Sequence, residues 1–155
     1  MMRKINRALT DFDEIKALIE KCDTVRLGFA DGGEAYIVPL SFGFEAENGV
    51  FTFYVHGAKL GRRHELAAKN SRVCVEADLC LGYVELEGGA QTADYKSFIG
   101  YGEISEIRGE EAVKGLNLMC AHCGFDKIGC TEAVINATCV EKIVVSEFSA
   151  KQRFK

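Results

Sequence analysis

The sequence has no tryptophan, a single proline (Pro39) and no excess of positive charge. With 19 Lys+Arg against 23 Asp+Glu the formal net charge is −4, so the basic stripe that a phosphate backbone requires is missing and a nucleic-acid partner is excluded. No apolar run approaches the roughly 18–20 residues needed to cross a bilayer, which argues against a membrane partner. The start, Met1 to Arg7, leads into polar residues and not into the apolar core of a secretion signal, so a cytoplasmic protein is expected. Standard nucleotide and hydrolase signatures are also missing. Gly100-Tyr101-Gly102 lacks the third glycine of a dinucleotide fingerprint, and there is neither a phosphate loop of the Walker type nor a Gly-x-Ser-x-Gly elbow.

What is present is an ordinary globular mixture, 48% hydrophobic and 27% charged, of a length that predicts one domain over residues 1–155. Seven cysteines are many for this length. Their odd number, and the apolar neighbours of Cys22, Cys74, Cys80, Cys120, Cys130 and Cys139, predict reduced thiols and no disulfide framework. Asn136-Ala137-Thr138 matches a glycosylation acceptor, a chance match without a secretion signal.

Periodicity divides the chain into elements. Thr10 as an N-cap and Phe12, Ile15, Ile19 and Cys22 on one face predict a helix over residues 11–22. Runs rich in β-branched and aromatic residues at Thr24–Ala30, Ala35–Phe44 and Gly49–Val55, separated by Asp31-Gly32-Gly33 and Glu47-Asn48-Gly49, predict an antiparallel meander. A helix is expected over Lys59–Lys69, stopped at Asn70, then strands at Arg72–Ala77, Leu81–Leu86 and Tyr95–Ile107. Gly100 and Gly102 suggest a bend around a barrel wall. Glu110–Cys123 reads as a third helix, burying Val113, Leu116, Cys120 and Cys123 before Gly124, and Cys139–Phe148 as a closing strand. The fold class expected is therefore mainly β: an antiparallel barrel with about three peripheral helices.

Two stretches carry chemistry. In His56-Gly57-Ala58-Lys59-Leu60-Gly61-Arg62 a strand turns into a helix, where free backbone N–H groups and the positive helix end favour an anion. The small residues Gly57, Ala58 and Gly61 allow close approach, and Lys59 and Arg62 can neutralise a phosphate. In Val38-Pro39-Leu40-Ser41 the lone proline interrupts a strand, marking an edge or bulge where backbone groups can turn toward a flat heteroaromatic ligand.

The order of these features, with Val38-Pro39-Leu40, Phe42-Gly43, His56-x-Ala58-Lys59-x-Gly61-Arg62 and Tyr95-Lys96-Ser97-Phe98-x-Gly100-x-Gly102-Glu103, resembles the Nim-type 5-nitroimidazole resistance proteins. These belong to the pyridoxamine 5′-phosphate oxidase-like, FMN-binding split-barrel group, and the resemblance runs from about Arg3 to Phe148. It implies a homodimer of split barrels with two FMN molecules at the subunit interface, FAD being the alternative flavin. Cofactor contacts implied by it are Val38, Pro39, Leu40 and Ser41 at the ring and His56, Gly57, Ala58, Lys59, Gly61 and Arg62 at the phosphate, with Tyr95 and Ser97 reaching in from a later strand. Relatives commonly carry serine where this chain has Gly57. His56 is the candidate catalytic side chain, able to hydrogen-bond phosphate, substrate or a developing anion.

Cys120-Ala121-His122-Cys123 is the remaining motif that could hold zinc or exchange disulfide electrons. It is read as buried thiols, because both cysteines fall on the expected core face and no second Cys-x-x-Cys is present, so no metal site is expected. The function expected is thus an FMN-dependent oxidoreductase, using a small-molecule electron donor and acceptor and reducing nitroaromatic compounds. The alternative is a non-catalytic flavin- or haem-binding barrel, or a redox or metal sensor.

Overall fold

Alternating inward apolar and outward polar residues build eight strands in the computed structural model, which describes residues 4–154. After a 3-10 turn at Ile5–Arg7 come β1 (Ala8–Leu9), α1 (Phe12–Glu20), β2 (Val25–Asp31), β3 (Glu34–Leu40), β4 (Gly43–Glu47) and β5 (Val50–Gly57). Then follow α2 (Arg62–Lys69), β6 (Arg72–Glu85), β7 (Gln91–Ile107), α3 (Gly109–His122), α4 (Glu132–Ala137) and β8 (Cys139–Gln152). All pairs are antiparallel, in the order β3-β2-β6-β7-β8-β5-β4, with β1 added to β8. The expected antiparallel split barrel is therefore the fold.

Its interior is aromatic. Phe42, Phe51, Phe53 and Phe98 are fully buried, and Phe51 sits edge-on to Phe98 with centroids 5.4 Å apart. Burying each such ring contributes about 1.5–3 kcal/mol. Helix α1 closes one side through Ile15, Leu18 and Ile19, and Cys22 follows them into the core. A second, smaller cluster lies where α3 covers the outside of β5, β7 and β8: Tyr54, Ile107, Ala112, Leu116, Met119 and Val140.

Several boundaries differ from the pattern read in the sequence. Asp11, not Thr10, caps α1, its carboxylate accepting from the Glu14 N–H at 3.0 Å. The run Ala35–Phe44 is two strands, because the chain breaks at Ser41 to drive Phe42 into the core and to seat Gly43 against the backbone of Leu118 and Met119. Helix α2 starts at Arg62 and not at Lys59, since Gly61 takes φ +107° at the cap and Leu60 is 86% exposed. Conversely, Arg72 to Glu85 is one strand, kept whole by a bulge between Cys80 and Gly82. The six-residue helix α4 packs only Ile135 partly against the smaller cluster, too short a segment to show a helical period in the sequence.

Helix α3 buries Ala112, Gly115, Leu116 and Met119, while Val113 and Cys123 are exposed and Cys120 is half-buried. The face is rotated from the expected one because Gly115 lets the helix lie against the Tyr54 ring, which a Cβ there would strike at 2.7 Å. Among the cysteines only Cys22 and Cys139 are buried, so apolar neighbours in sequence do not translate into burial for Cys80 or Cys130. The barrel-wall glycines do behave as expected: a Cβ at Gly102 would collide with the backbone oxygen of Val144 on the adjoining β8.

Substituting Gly102→Ala should therefore lower stability by about 1–3 kcal/mol, the usual cost of overpacking. Gly129→Ala, with open space around it and no positive φ, should stay within about 0.5 kcal/mol. Urea midpoints followed by circular dichroism check both.

Candidate functional site

The strand-to-helix turn is built by a ladder and a cap. β5 pairs with β8 to its end, His56 opposite Val140 and Gly57 opposite Cys139. The chain then leaves the sheet through the exposed residues 58–61 and enters α2. No side chain caps α2, so its first-turn N–H groups lack intrahelical acceptors and point out at the positive end of the helix.

The cations of this turn are not arranged as the sequence suggests. Lys59 Nζ donates to the carbonyl oxygen of Asn136 at 2.5 Å, tying the turn to α4. Arg62 bonds Asp31 at 3.1 Å, lies 3.9 Å from Glu34 and stacks over the Tyr36 ring at 4.8 Å. Beneath them is Arg63, which sequence reasoning passed over. Its Nη1 donates to the buried Glu141 carboxylate on β8. Its Nη2 is buried with no hydrogen-bond partner, a loss that costs about 1–3 kcal/mol. That nitrogen lies directly under Gly57, where any Cβ would collide with it. Two signals could have found Arg63: it follows the expected phosphate arginine, and Glu141 is an acid among the apolar residues that open the last strand.

Arg62 also connects the turn to the proline strand, because Tyr36 is on β3. Tyr36, Val38 and Leu40 face the barrel interior, while Ile37, Pro39 and Ser41 are exposed. The residues 38–41 thus divide between two faces, and a ligand meeting all of them would do so through the backbone edge. Pro39 lies on an edge strand, pairing with Arg26 on β2.

Tyr95 and Ser97 are not brought to the turn. The register His56–Val140–Ile107 sets the turn level with the end of β7. Ser97 is ten residues back along that strand, about 33 Å at the usual rise. Tyr95 instead accepts a long hydrogen bond from Arg7 at 3.4 Å.

His56 itself is exposed, and its imidazole is held below its usual value of 6.5 by local desolvation first and by the Arg63 cation second. It is accordingly neutral at pH 7 and able to accept or donate one hydrogen bond. His122, by contrast, is structural: its Nε2 lies 2.8 Å from the Cys22 carbonyl oxygen and its ring is 4.3 Å from that of Phe42.

A chemical test of the turn is whether it suits an anion. Uncapped helix N–H groups, an unpaired buried guanidinium nitrogen and a glycine window above it form a cradle that a phosphate oxygen would complete. Separately, a cleft of about 660 Å³ adjoins the turn between α3 and α4, lined by Lys59, Ile107, Arg108, Val113, Glu132 and Val140 among others.

Comparison with known proteins supports one fold throughout. The family model for pyridoxamine 5′-phosphate oxidase matches residues 11–152. No curated protein matches the sequence. Among solved structures, a candidate 5-nitroimidazole antibiotic resistance protein from Bacteroides thetaiotaomicron is similar at TM-score 0.82 and 24% identity, over 93% of this chain and 85% of that one. An FAD- and haem-binding protein from Mycobacterium smegmatis superposes at TM-score 0.80 and 14% identity, over 94% and 73% of the two chains. An FAD-binding protein from Mesorhizobium loti does so at 0.67 and 20%, over 96% and 98%.

Arg63→Met would leave Glu141, 3% exposed, buried without its partner, a change expected to cost about 3–5 kcal/mol. The double variant Arg63→Met/Glu141→Leu should recover most of that loss in urea denaturation. By NMR the His56 ring should titrate below 6.5. The unfolded chain therefore takes up that proton first, and the contribution of His56 to stability declines as pH falls from 6.5 toward the folded value.

Proposed function

The chain belongs to the pyridoxamine 5′-phosphate oxidase family, and on that premise we propose that it is a flavin-dependent oxidoreductase holding FMN at the turn between β5 and α2. The observation that carries this reading is the unpaired Arg63 Nη2 under Gly57, at the foot of an uncapped helix. A dianionic phosphate supplies what that corner lacks. Gly57 and the α2 N–H groups would receive it, with Lys59 and Arg62 exchanging their present partners for it. The backbone of Val38, Pro39, Leu40 and Ser41 offers donors and acceptors to a flat ring system, and Ala58 and Gly61 keep the approach open. FAD is the second reading, favoured by the exposure of residues 58–61, which leaves the far side of a phosphate unobstructed.

Bound flavin would supply the electron-transfer chemistry. The chain's own work is to bind the phosphate, orient the ring and exclude water from its inner face. His56, neutral and exposed beside the turn, can hydrogen-bond an incoming oxidant. Small nitroaromatic compounds of the 5-nitroimidazole class are the proposed acceptors.

The proposal extends to a cytoplasmic, single-domain homodimer. One outer face of the sheet carries the cross-strand row Ile37–Gly28–Cys74–Tyr101, with Ile99 alongside. Ile37 is 62% exposed and Tyr101 48%, which is apolar area a second copy would cover. Tyr95 and Ser97, remote from the turn of their own chain, could reach flavin only across such an interface. Among the described residues no helix is long and apolar enough to cross a membrane.

Purified protein should be yellow, release FMN or FAD identifiable by mass spectrometry, and reduce a nitroaromatic in a donor-dependent way. Bound flavin without turnover would overturn the enzyme reading and favour a flavin- or haem-storing barrel. Lys59→Met should weaken riboflavin 5′-phosphate about ten-fold, as loss of a charge-assisted hydrogen bond does, and leave riboflavin unchanged. Equal losses for both ligands in a fluorescence titration would put the phosphate elsewhere.

A further inference from the structure

Below the turn, on the side away from the outer face, three side chains of different chemistry converge. Cys139 and Glu141 stand two residues apart on β8 and so project from the same face, and His64 reaches them from the first turn of α2. Both strand residues are buried, His64 is half-buried, and the ligand atoms of all three lie within 4.8 Å of one another. Cys139 Sγ and His64 Nδ1 are 3.6 Å apart. A tetrahedral zinc with Zn–S of about 2.3 Å and Zn–N of about 2.05 Å would set its sulfur and nitrogen ligands about 3.6 Å apart. We propose that His64, Cys139 and Glu141 form a site for a borderline-soft divalent cation of the zinc class.

The donor set argues for that class. A thiolate and an imidazole disfavour calcium and magnesium, which require oxygen ligands, and the single carboxylate completes a three-ligand set with one position open. Sequence reasoning looked for metal in Cys120, Cys123 and His122, but His122 is committed to the Cys22 carbonyl and Cys123 is exposed. The residues brought together here are 75 and 77 positions apart, a spacing that no motif scan would pair.

In the metal-free protein the same space is neutralised differently. Arg63 holds the Glu141 carboxylate, and the Cys139 thiol lies against His64 Nδ1. Metal binding exchanges these: the thiol proton goes to solvent, the thiolate, imidazole and carboxylate bind the cation, and Arg63 gives up Glu141. The freed guanidinium already lies under Gly57, so cation binding releases a positive group toward the turn. The metal site stands without the flavin reading; only this coupling rests on it.

The test is Co²⁺ titration of the full-length protein after chelator dialysis, read as a difference spectrum. One Co²⁺ per chain should bind with a thiolate-to-cobalt charge-transfer band and tetrahedral visible bands, and Zn²⁺ should bleach both. Cys139→Ser should abolish the charge-transfer band. His64→Gln, at a half-buried position that tolerates change better, should weaken Co²⁺ at least ten-fold. The triple variant Cys120→Ser/Cys123→Ser/Cys130→Ser should keep the spectrum of the parent. The proposal is overturned by the absence of a thiolate band, by a band that survives Cys139→Ser, by unchanged Co²⁺ affinity in His64→Gln, or by a band that disappears with the triple variant.

Discussion

The ion pair between Arg63 and Glu141 is the constraint around which the candidate site is organised. It joins the first turn of α2 to the start of β8, and both partners are largely removed from water. A buried pair of this kind contributes little net stability over an apolar substitute, but it is expensive to break, so it fixes geometry more than it adds free energy. Because the guanidinium is held from below, its second terminal nitrogen has nowhere to turn except toward Gly57. The tie thus fixes the first turn of α2 against β8, directly beneath the turn that follows β5.

The barrel supplies the rigidity that makes the tie possible. β8 is a neighbour of β7 on one side and β5 on the other, so Cys139 and Glu141 stand on the best-supported strand of the sheet. The aromatic cluster behind it, in which Phe51 and Phe98 each touch Phe53, Phe148 and one another, leaves little freedom for that strand to shift. Gly100 and Gly102 let β7 approach β8 more closely than any side chain would allow. Residues 58–61 and α4 lie outside this core, exposed at the rim and tied to each other through Lys59 and Asn136.

How much of this was legible in the sequence depended on whether the signal was local. Strand character, the hairpin turns and the lone proline on an edge are all properties of short segments, and the structure carries each of them, with the strand ends shifted. The break after Leu40 was not legible, since Ser41 and Phe42 continue an apolar run and only the core needs Phe42 turned inward. Helix α3 was placed correctly but rotated, because Gly115 and Tyr54 choose its face by tertiary contact and not by hydropathy. At the site, His56 to Arg62 could be named from their order. The partners that redirect them could not, for Asn136 holds Lys59 across 77 residues and Glu141 holds Arg63 across 78.

An open sheet leaves free rims, here β3 and β4 at the ends of the main strand order, besides the two-residue β1. On β3 the missing N–H of Pro39 interrupts the row of donors that an incoming strand would need, and β4 carries the carboxylates Glu45 and Glu47. Neither rim is a good template for runaway strand addition. The proline that interrupts the strand pattern of the sequence thus has a consequence for association as well: it withholds a donor at the place where a further strand would have to begin pairing.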